Sequence, residues 1–128
     1  MAKSNRKKYN KLVRDKIPTI LMQSDQLFKA KIIKKYDLVK ALSAKLSEEC
    51  KEVQEALDNY IIDDQQAPYI GTVNKTHLLE EMADLMEVYL AIIKAAKLNP
   101  ATLKAKMKEK KHDRGGFDLG VYLEWVEE

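Results

Sequence analysis

Residues 42–60 read LSAKLSEECKEVQEALDNY, and their apolar positions recur at intervals of three and four residues. This period is typical of an amphipathic α-helix, in which side chains three and four residues apart share a face. The pattern predicts a helix over residues 37–60, with Asp37 as its N-cap. The apolar stripe of this helix is predicted to consist of Leu38, Val39, Leu42, Leu46, Val53, Ala56, Leu57 and Tyr60.

Two glutamates lie on or beside this apolar stripe. Each residue advances about 100° around an α-helix, so Leu46 and Val53 both fall within roughly 60° of Glu49. Glu52 lies roughly 60° from Glu49, at the margin of the same face, and about 4.5 Å farther along the axis. Glu49 is therefore predicted to face the helical core, with Glu52 beside it.

A second amphipathic pattern covers residues 76–97 and carries the same kind of acidic pair. Asn74 or Thr76 is its predicted N-cap. The apolar positions of this helix cluster around Glu81, and Asp84 falls roughly 60° to one side. The solvated side is predicted to carry Glu80, Glu87 and Lys94. Only Glu81 and Asp84 are therefore expected to face inward.

Four carboxylates directed into one helical core must be protonated, ion-paired or bound to a cation, because burying an unpaired charge is costly. Nearby lysines are the simplest partners, and Lys45 lies four residues before Glu49. Ion pairs usually explain one or two buried acids. Two acidic pairs on adjacent helices favour a divalent ion, because Mg²⁺ takes several oxygen ligands, including carboxylates and substrate phosphates.

The rest of the chain contains shorter elements. A short helix is predicted within residues 9–23, opening near Pro18, and residues 28–36 are predicted to form a short extended piece. A polar loop is predicted over residues 61–74, with Pro68 and Gly71 as helix breakers. A further helix is predicted to open at Asn99 and Pro100, and to close before residues 115–116, which are both glycine.

The composition also favours helices. The chain has 128 residues, of which 45% are hydrophobic and 34% charged, with four Gly, three Pro and 7% aromatic residues. It is too apolar for a disordered protein and too poor in turn residues for an all-β one. We therefore predict an all-α helical bundle forming a single domain over residues 1–128.

The charge pattern excludes few classes of protein, but it favours one that binds a metal and a phosphate. The formal net charge is +3, with basic residues concentrated in 3–16 and 104–114 and acidic residues in 48–87. Basic ends alone suggest a nucleic-acid-binding protein. Basic ends around an acidic middle suit a metal and a phosphate at least as well, so nucleic acid is not the expected partner.

The sequence also bears on the compartment. Cys50 is the single cysteine, which excludes an intramolecular disulfide and indicates a reducing compartment. No apolar run approaches the ~20 residues that span a bilayer, and the basic N-terminus lacks the apolar stretch of a signal peptide. A cytoplasmic protein without a membrane partner is predicted.

Four short motifs resemble those of one enzyme family. EECKE at residues 48–52 and EMAD at residues 81–84 resemble the EExxE…ExxD motif of the MazG-like all-α nucleoside triphosphate pyrophosphohydrolase superfamily. KLVRDKIP at residues 11–18 and KKHDRGGF at residues 110–117 resemble the flanking motifs of its phosphoribosyl-ATP pyrophosphohydrolase-like branch. The resemblance covers essentially the whole chain in the expected order.

The resemblance implies a fold, a reaction and a set of site residues. It implies a bundle completed as a homodimer or homotetramer, and hydrolysis of a nucleotide between its α and β phosphates to a nucleoside monophosphate and pyrophosphate. The cofactor would be Mg²⁺, with Mn²⁺ as a substitute. Glu48 would orient or deprotonate the attacking water. By motif position, the metal ligands would be Glu49, Glu52, Glu81 and Asp84.

Fixed cations would bind the phosphates. Arg14 and Lys16 in the first flanking motif, and Lys110 and Arg114 in the second, are the candidates. Lys110 and Arg114 would also stabilise the leaving pyrophosphate, and Arg114 can do so bidentately. Lys110 alternatively belongs to a solvated lysine-rich strip.

Three alternatives stay open at this point. The same fold could serve as a non-catalytic regulatory or interaction module, or the basic ends could bind nucleic acid. Within the enzyme class, phosphoribosyl-ATP competes as substrate with canonical or damaged nucleoside triphosphates in a house-cleaning role.

Overall fold

The computed structural model describes residues 5–66 and 71–128, and every regular element in them is an α-helix. The all-α prediction is confirmed. Residues 28–34, predicted to be extended, form no regular element, and residues 35–36 already belong to a helix. The helices are α1 (Ile17–Gln23), α2 (Lys35–Gln66), α3 (Gly71–Ala95) and α4 (Pro100–Arg114).

Helix α2 is longer than predicted at both ends. It begins at Lys35, so Asp37 lies in the first helical turn and is not the N-cap. It also continues through residues 61–66, which were predicted to be a loop. Periodicity weakens after Tyr60, but residues 61–66 contain no glycine or proline, so the sequence holds no strong helix breaker in this stretch. Pro68 lies outside the described residues.

Helix α3 also begins earlier than predicted. It starts at Gly71, so Asn74 and Thr76 lie within the helix and neither is its N-cap. The predicted breaker Gly71 is instead the first helical residue. At the other end α3 stops at Ala95, two residues before the predicted end, and Lys97 adopts a left-handed φ of 56° that does not continue a right-handed helix.

The predicted caps of α4 are confirmed. The Asn99 side chain accepts hydrogen bonds from the backbone N–H groups of Ala101 and Thr102, and Pro100 occupies the first turn, where its missing N–H costs nothing. Gly115 follows the helix at φ 80°, a conformation that favours glycine, and its N–H donates to the carbonyl of Lys111.

Helices α2 and α3 pack against each other in antiparallel fashion. The direction follows from the apolar groove that Val39 and Leu42 near the start of α2 form with Ile92 and Ala95 near the end of α3. The buried apolar side chains in the described part of the chain are Leu42, Val53, Ala56 and Val88. Burying a Leu or Val contributes about 1.5–3 kcal/mol, so this core stabilises the helix pair but is small for a chain of this length.

The chain divides into two compact units, one extending to Ala96 and the other comprising Lys97–Glu128. The second unit contains α4, none of whose residues is buried, and the irregular residues 117–128. The single domain inferred from the sequence stays a prediction. None of the helices in residues 5–66 and 71–128 combines the length and the apolar character that crossing a bilayer requires.

Candidate metal centre

Four carboxylates converge where α2 faces α3. Glu49 and Glu52 come from α2, and Glu81 and Asp84 come from α3. One carboxylate oxygen from each lies within 4.8 Å of the others. The three-residue spacing on each helix puts both acids of a pair on one face, and the packing of α2 against α3 brings the two faces together.

The four acids of the cluster differ in burial. Glu49 is only 5% exposed and is the buried charged residue of the described chain. Glu52, Glu81 and Asp84 are partly buried. The Oε2 atoms of Glu49 and Glu81 are fully buried and accept no hydrogen bond from any described residue.

These two oxygen atoms indicate what the cluster can bind. A buried carboxylate oxygen without a partner carries the full cost of its desolvation. Carboxylate oxygens are the ligands that hard divalent cations such as Mg²⁺ prefer, and a cation here would give both atoms a partner. The residues present therefore fit a divalent metal ion.

Ion pairs satisfy part of the cluster, as the simpler alternative predicted. The Lys45 Nζ lies 3.2 Å from Oε1 of Glu49, and an Arg14 Nη donates to Oδ1 of Asp84 at 2.6 Å. Both contacts leave Oε2 of Glu49 and Oε2 of Glu81 without a partner among the described residues. These ion pairs therefore do not give every buried carboxylate oxygen of the cluster a partner.

Glu48 lies beside the cluster and is held by two lysines. The Lys11 Nζ donates to its Oε1 at 2.8 Å, and the Lys45 Nζ lies 3.6 Å from its Oε2. The hydrogen bond from Lys11 lowers the pKa of Glu48, with a smaller contribution from Lys45, and the same bond raises the pKa of Lys11. A carboxylate kept ionised in this way is better suited to orienting a water molecule than to taking its proton.

Glu49 shows the opposite electrostatic behaviour. Burial raises its pKa, the neighbouring Glu52 carboxylate raises it further, and Lys45 opposes both effects. The charged form of Glu49 is therefore less favourable in the folded chain than in the unfolded chain. A bound cation would reverse this penalty.

The predicted phosphate-binding residues lie in different parts of the chain. Arg14 contacts Asp84, and Lys16, directly before α1, is exposed. Lys110 and Arg114 are exposed near the end of α4, in the second unit. Their roles toward phosphate stay predictions.

Sequence reasoning missed two neighbours of the cluster. Lys11 belongs to the quoted KLVRDKIP motif, but no periodic pattern relates it to Glu48, which is 37 positions away. His77 on α3 is exposed, and its Nδ1 lies 3.9 Å from Oε1 of Glu81, too far for a hydrogen bond. Its i,i+4 spacing to Glu81 was the available signal.

Glu49→Gln should stabilise the metal-free protein. We expect the free energy of unfolding to rise by about 1 kcal/mol in a chelator, because the substitution removes a buried charge beside Glu52, partly offset by the lost attraction to Lys45. Urea unfolding with and without Mg²⁺ measures this. Mg²⁺ should stabilise the wild type but not the variant.

Asp84→Asn should change the stability of the metal-free protein in the opposite direction to Glu49→Gln. It removes the partner of Arg14, and because both side chains are substantially exposed, the loss should be at most about 1 kcal/mol. A destabilised Glu49→Gln protein in chelator would instead show that the attraction of Lys45 outweighs the cost of burying the Glu49 charge.

Comparison with known proteins gives one family match. The family model described as phosphoribosyl-ATP pyrophosphohydrolase matches residues 7–111. The matched span contains the four clustered acids, Glu48, and the two lysines and one arginine that contact these acids. Arg114 lies beyond the end of the matched span. No curated protein and no solved structure matches the chain.

Proposed function

Because the chain belongs to the phosphoribosyl-ATP pyrophosphohydrolase family, we propose that it hydrolyses a nucleotide between its α and β phosphates in a Mg²⁺-dependent reaction. The products are a nucleoside monophosphate and pyrophosphate. The observation that carries this proposal is the convergence of four carboxylates, two of which have a buried oxygen without a partner among the described residues.

The proposed metal ligands are Glu49, Glu52, Glu81 and Asp84. When bound, a divalent cation supplies positive charge to the phosphate oxygens and acidifies water. Mg²⁺ suits the site because all the donors are carboxylate oxygens, and Mn²⁺ accepts the same donors. The support is the 4.8 Å grouping of the ligand atoms and the chemistry of the donors.

The protein's own contribution is to position water and phosphate. Phosphoryl transfer requires alignment and cancellation of charge more than covalent help from the protein. Glu48, fixed by Lys11, would accept a hydrogen bond from the attacking water and aim it at the α phosphorus. Arg14 uses only part of its guanidinium on Asp84, so its other N–H groups can donate to a phosphate.

Three further cations complete the proposed phosphate site. Lys16 is the second candidate from the N-terminal motif, and Lys110 and Arg114 come from the end of α4. Lys110 and Arg114 are assigned to the leaving pyrophosphate, whose negative charge increases as the bond breaks.

The family favours a phosphoribosyl-ATP-like substrate over house-cleaning of nucleoside triphosphates. Incubating the purified protein with Mg²⁺ and a panel of nucleotides, including phosphoribosyl-ATP, tests both. Pyrophosphate and monophosphate from phosphoribosyl-ATP would support the proposal, whereas orthophosphate alone would place the cleavage elsewhere. A folded, metal-loaded protein that yields no product would instead be a non-catalytic module.

The proposal also includes a cytoplasmic location for the enzyme. This location rests on the single cysteine, which indicates a reducing compartment.

A second copy of the chain is proposed to cover the outer face of α3. Leu79, Met86 and Leu90 form an apolar stripe there and are 70%, 50% and 53% exposed. Lys94 and Glu80 lie beside this stripe, roughly equidistant from Met86 along the helix. Two α3 helices crossing antiparallel near Met86 would therefore place Lys94 of one copy close to Glu80 of the other, which favours self-association.

Met86→Glu should dissociate this assembly. A charge at the centre of an apolar interface is costly to bury, so we expect the variant to have the 14.7 kDa mass of one chain by light scattering. Lys51→Glu, which changes an exposed residue on α2, is the matched control and should retain the wild-type mass. An unchanged mass for Met86→Glu would exclude the α3 stripe as the interface.

A further inference from the structure

Lys45 on α2 contacts two acids of the site but has no part in the proposed reaction. Its Nζ lies 3.2 Å from Oε1 of Glu49 and 3.6 Å from Oε2 of Glu48. Only 17% of the Lys45 side chain is exposed, compared with 39% for Lys11 and 59% for Arg14. Solvent therefore screens the contact between Lys45 and Glu49 less than it screens the ion pairs of the other two cations.

The two carboxylate oxygens of Glu49 have different surroundings. Oε1 faces the ammonium group of Lys45, whereas Oε2 is fully buried and has no hydrogen-bond partner among the described residues. A metal ion on Oε1 would share this oxygen with a second positive charge and would be repelled by it. A metal ion on Oε2 would instead give a partner to an atom that has none. The arrangement therefore favours binding of a cation through Oε2 alone.

Asp84 on α3 shows the same arrangement in a more exposed setting. An Arg14 Nη donates to Oδ1 of Asp84 at 2.6 Å, which leaves Oδ2 as the oxygen without this contact. Both side chains are more exposed than those of Lys45 and Glu49, so solvent weakens this contact more. One proposed ligand on each helix therefore has one of its two oxygens held by a basic side chain.

The number of oxygens that a carboxylate offers affects Mg²⁺ and Ca²⁺ differently. Mg²⁺ requires near-octahedral geometry, which a carboxylate satisfies best with a single oxygen. Ca²⁺ takes about 6–8 oxygens in a flexible geometry and also binds both oxygens of one carboxylate. A cation that holds one oxygen of a ligand therefore removes a contact that Ca²⁺ can use and Mg²⁺ does not need.

We propose that Lys45 and Arg14 hold Glu49 and Asp84 as single-oxygen ligands, and that they thereby shift the preference of the cluster from Ca²⁺ toward Mg²⁺. Lys45 is the stronger determinant because its contact is the more buried one. Both are positioning residues, since each acts on the metal through a ligand. The inference rests on the proposed function insofar as it takes the four acids to be a metal site.

The ratio of Ca²⁺ affinity to Mg²⁺ affinity measures this preference. Each ion displaces Mn²⁺ from the full-length protein, and electron paramagnetic resonance of the free Mn²⁺ gives both affinities without turnover. Loss of a nearby positive charge strengthens the binding of both divalent ions, so this effect cancels in the ratio. We expect Lys45→Met to raise the ratio about tenfold, and Arg14→Met, at the more exposed contact, to raise it about threefold.

Two further variants separate positioning from charge. Lys11→Met removes the same charge from Glu48, which is not one of the four clustered acids, and should leave the ratio within about twofold of the wild-type value. Lys45→Arg keeps a charged donor at the same position of α2 and should also retain the wild-type ratio. Circular dichroism of each variant should match that of the wild type.

The outcomes distinguish failure of this inference from failure of the proposed function. A wild-type ratio in both Lys45→Met and Arg14→Met would overturn the inference, as would an equal rise in Lys11→Met or in Lys45→Arg. Each of these results would leave the cluster as a metal site and the proposed reaction intact. A wild-type protein that binds none of the three ions would overturn the proposed function together with the inference, because the cluster would then hold no metal.

Discussion

Glu52→Gln is expected to lower the rate of pyrophosphate release by at least about a hundredfold while the helices remain folded. Glu52 is partly buried and supplies one of the four clustered carboxylate oxygens. Loss of groups that only support a metal ligand typically costs 10–100-fold, so loss of a ligand should cost at least as much. Steady-state kinetics over a range of Mg²⁺ concentrations should also show a higher Mg²⁺ requirement.

Glu55→Gln is the matched control for this experiment. Glu55 lies on the same helix three residues later and is exposed, so the same change of charge should leave turnover within about twofold. Circular dichroism of both variants should match that of the wild type. Wild-type turnover by Glu52→Gln in Mg²⁺ would exclude Glu52 as a ligand.

Glu48→Gln is expected to lower kcat by about tenfold to a hundredfold without changing the Mg²⁺ requirement. Glu48 lies outside the group of four, and its ionised carboxylate is proposed to orient the attacking water. The amide keeps the size of the side chain but removes the charge and one acceptor. Mg²⁺ titrations of kcat therefore distinguish Glu48 from Glu52.

Lys11 provides an internal check on Glu48. Lys11→Met removes the 2.8 Å hydrogen bond to Glu48, so kcat should fall by a smaller factor than in Glu48→Gln. The double variant should be no slower than Glu48→Gln, because both changes act on the same water. Additive losses would show that Lys11 acts through another group. A higher Mg²⁺ requirement in Glu48→Gln would contradict the separation of roles.

The inward direction of the four acids was predictable from helical periodicity. Glu49 and Glu81 each lie among apolar positions of their helices, so their inward direction was predictable from the 3.6-residue repeat. Glu80 and Glu87, on the other side of α3, are exposed as predicted. Helical periodicity predicts these directions because they depend only on the geometry of a single helix.

The cations around the cluster were less predictable. Lys45 shares a helix with Glu49 and lies one turn away, so its contact was anticipated. Lys11 and Arg14 reach Glu48 and Asp84 from a segment without regular structure. Their positions depend on the path of the backbone before α1, which no periodic pattern specifies.

The helix ends show a similar limit. The N-cap of α4 was predictable because Asn99 followed by Pro100 is a specific local signal. Asp37 was an equally good cap candidate, but α2 begins two residues earlier, at Lys35, which places Asp37 in the first helical turn, where a carboxylate also interacts favourably with the helix dipole. Weak capping signals within a polar stretch do not determine where a long, packed helix ends.

Diffraction from crystals soaked in Mn²⁺ and measured at the manganese absorption edge tests the central claim most directly, because the anomalous signal locates the ion without assumptions about turnover. We predict a peak among the carboxylates of Glu49, Glu52, Glu81 and Asp84, and no peak there in Glu52→Gln at the same Mn²⁺ concentration. A cluster that remains free of Mn²⁺ in the wild type, with the carboxylates held only by Lys45 and Arg14, would contradict the account.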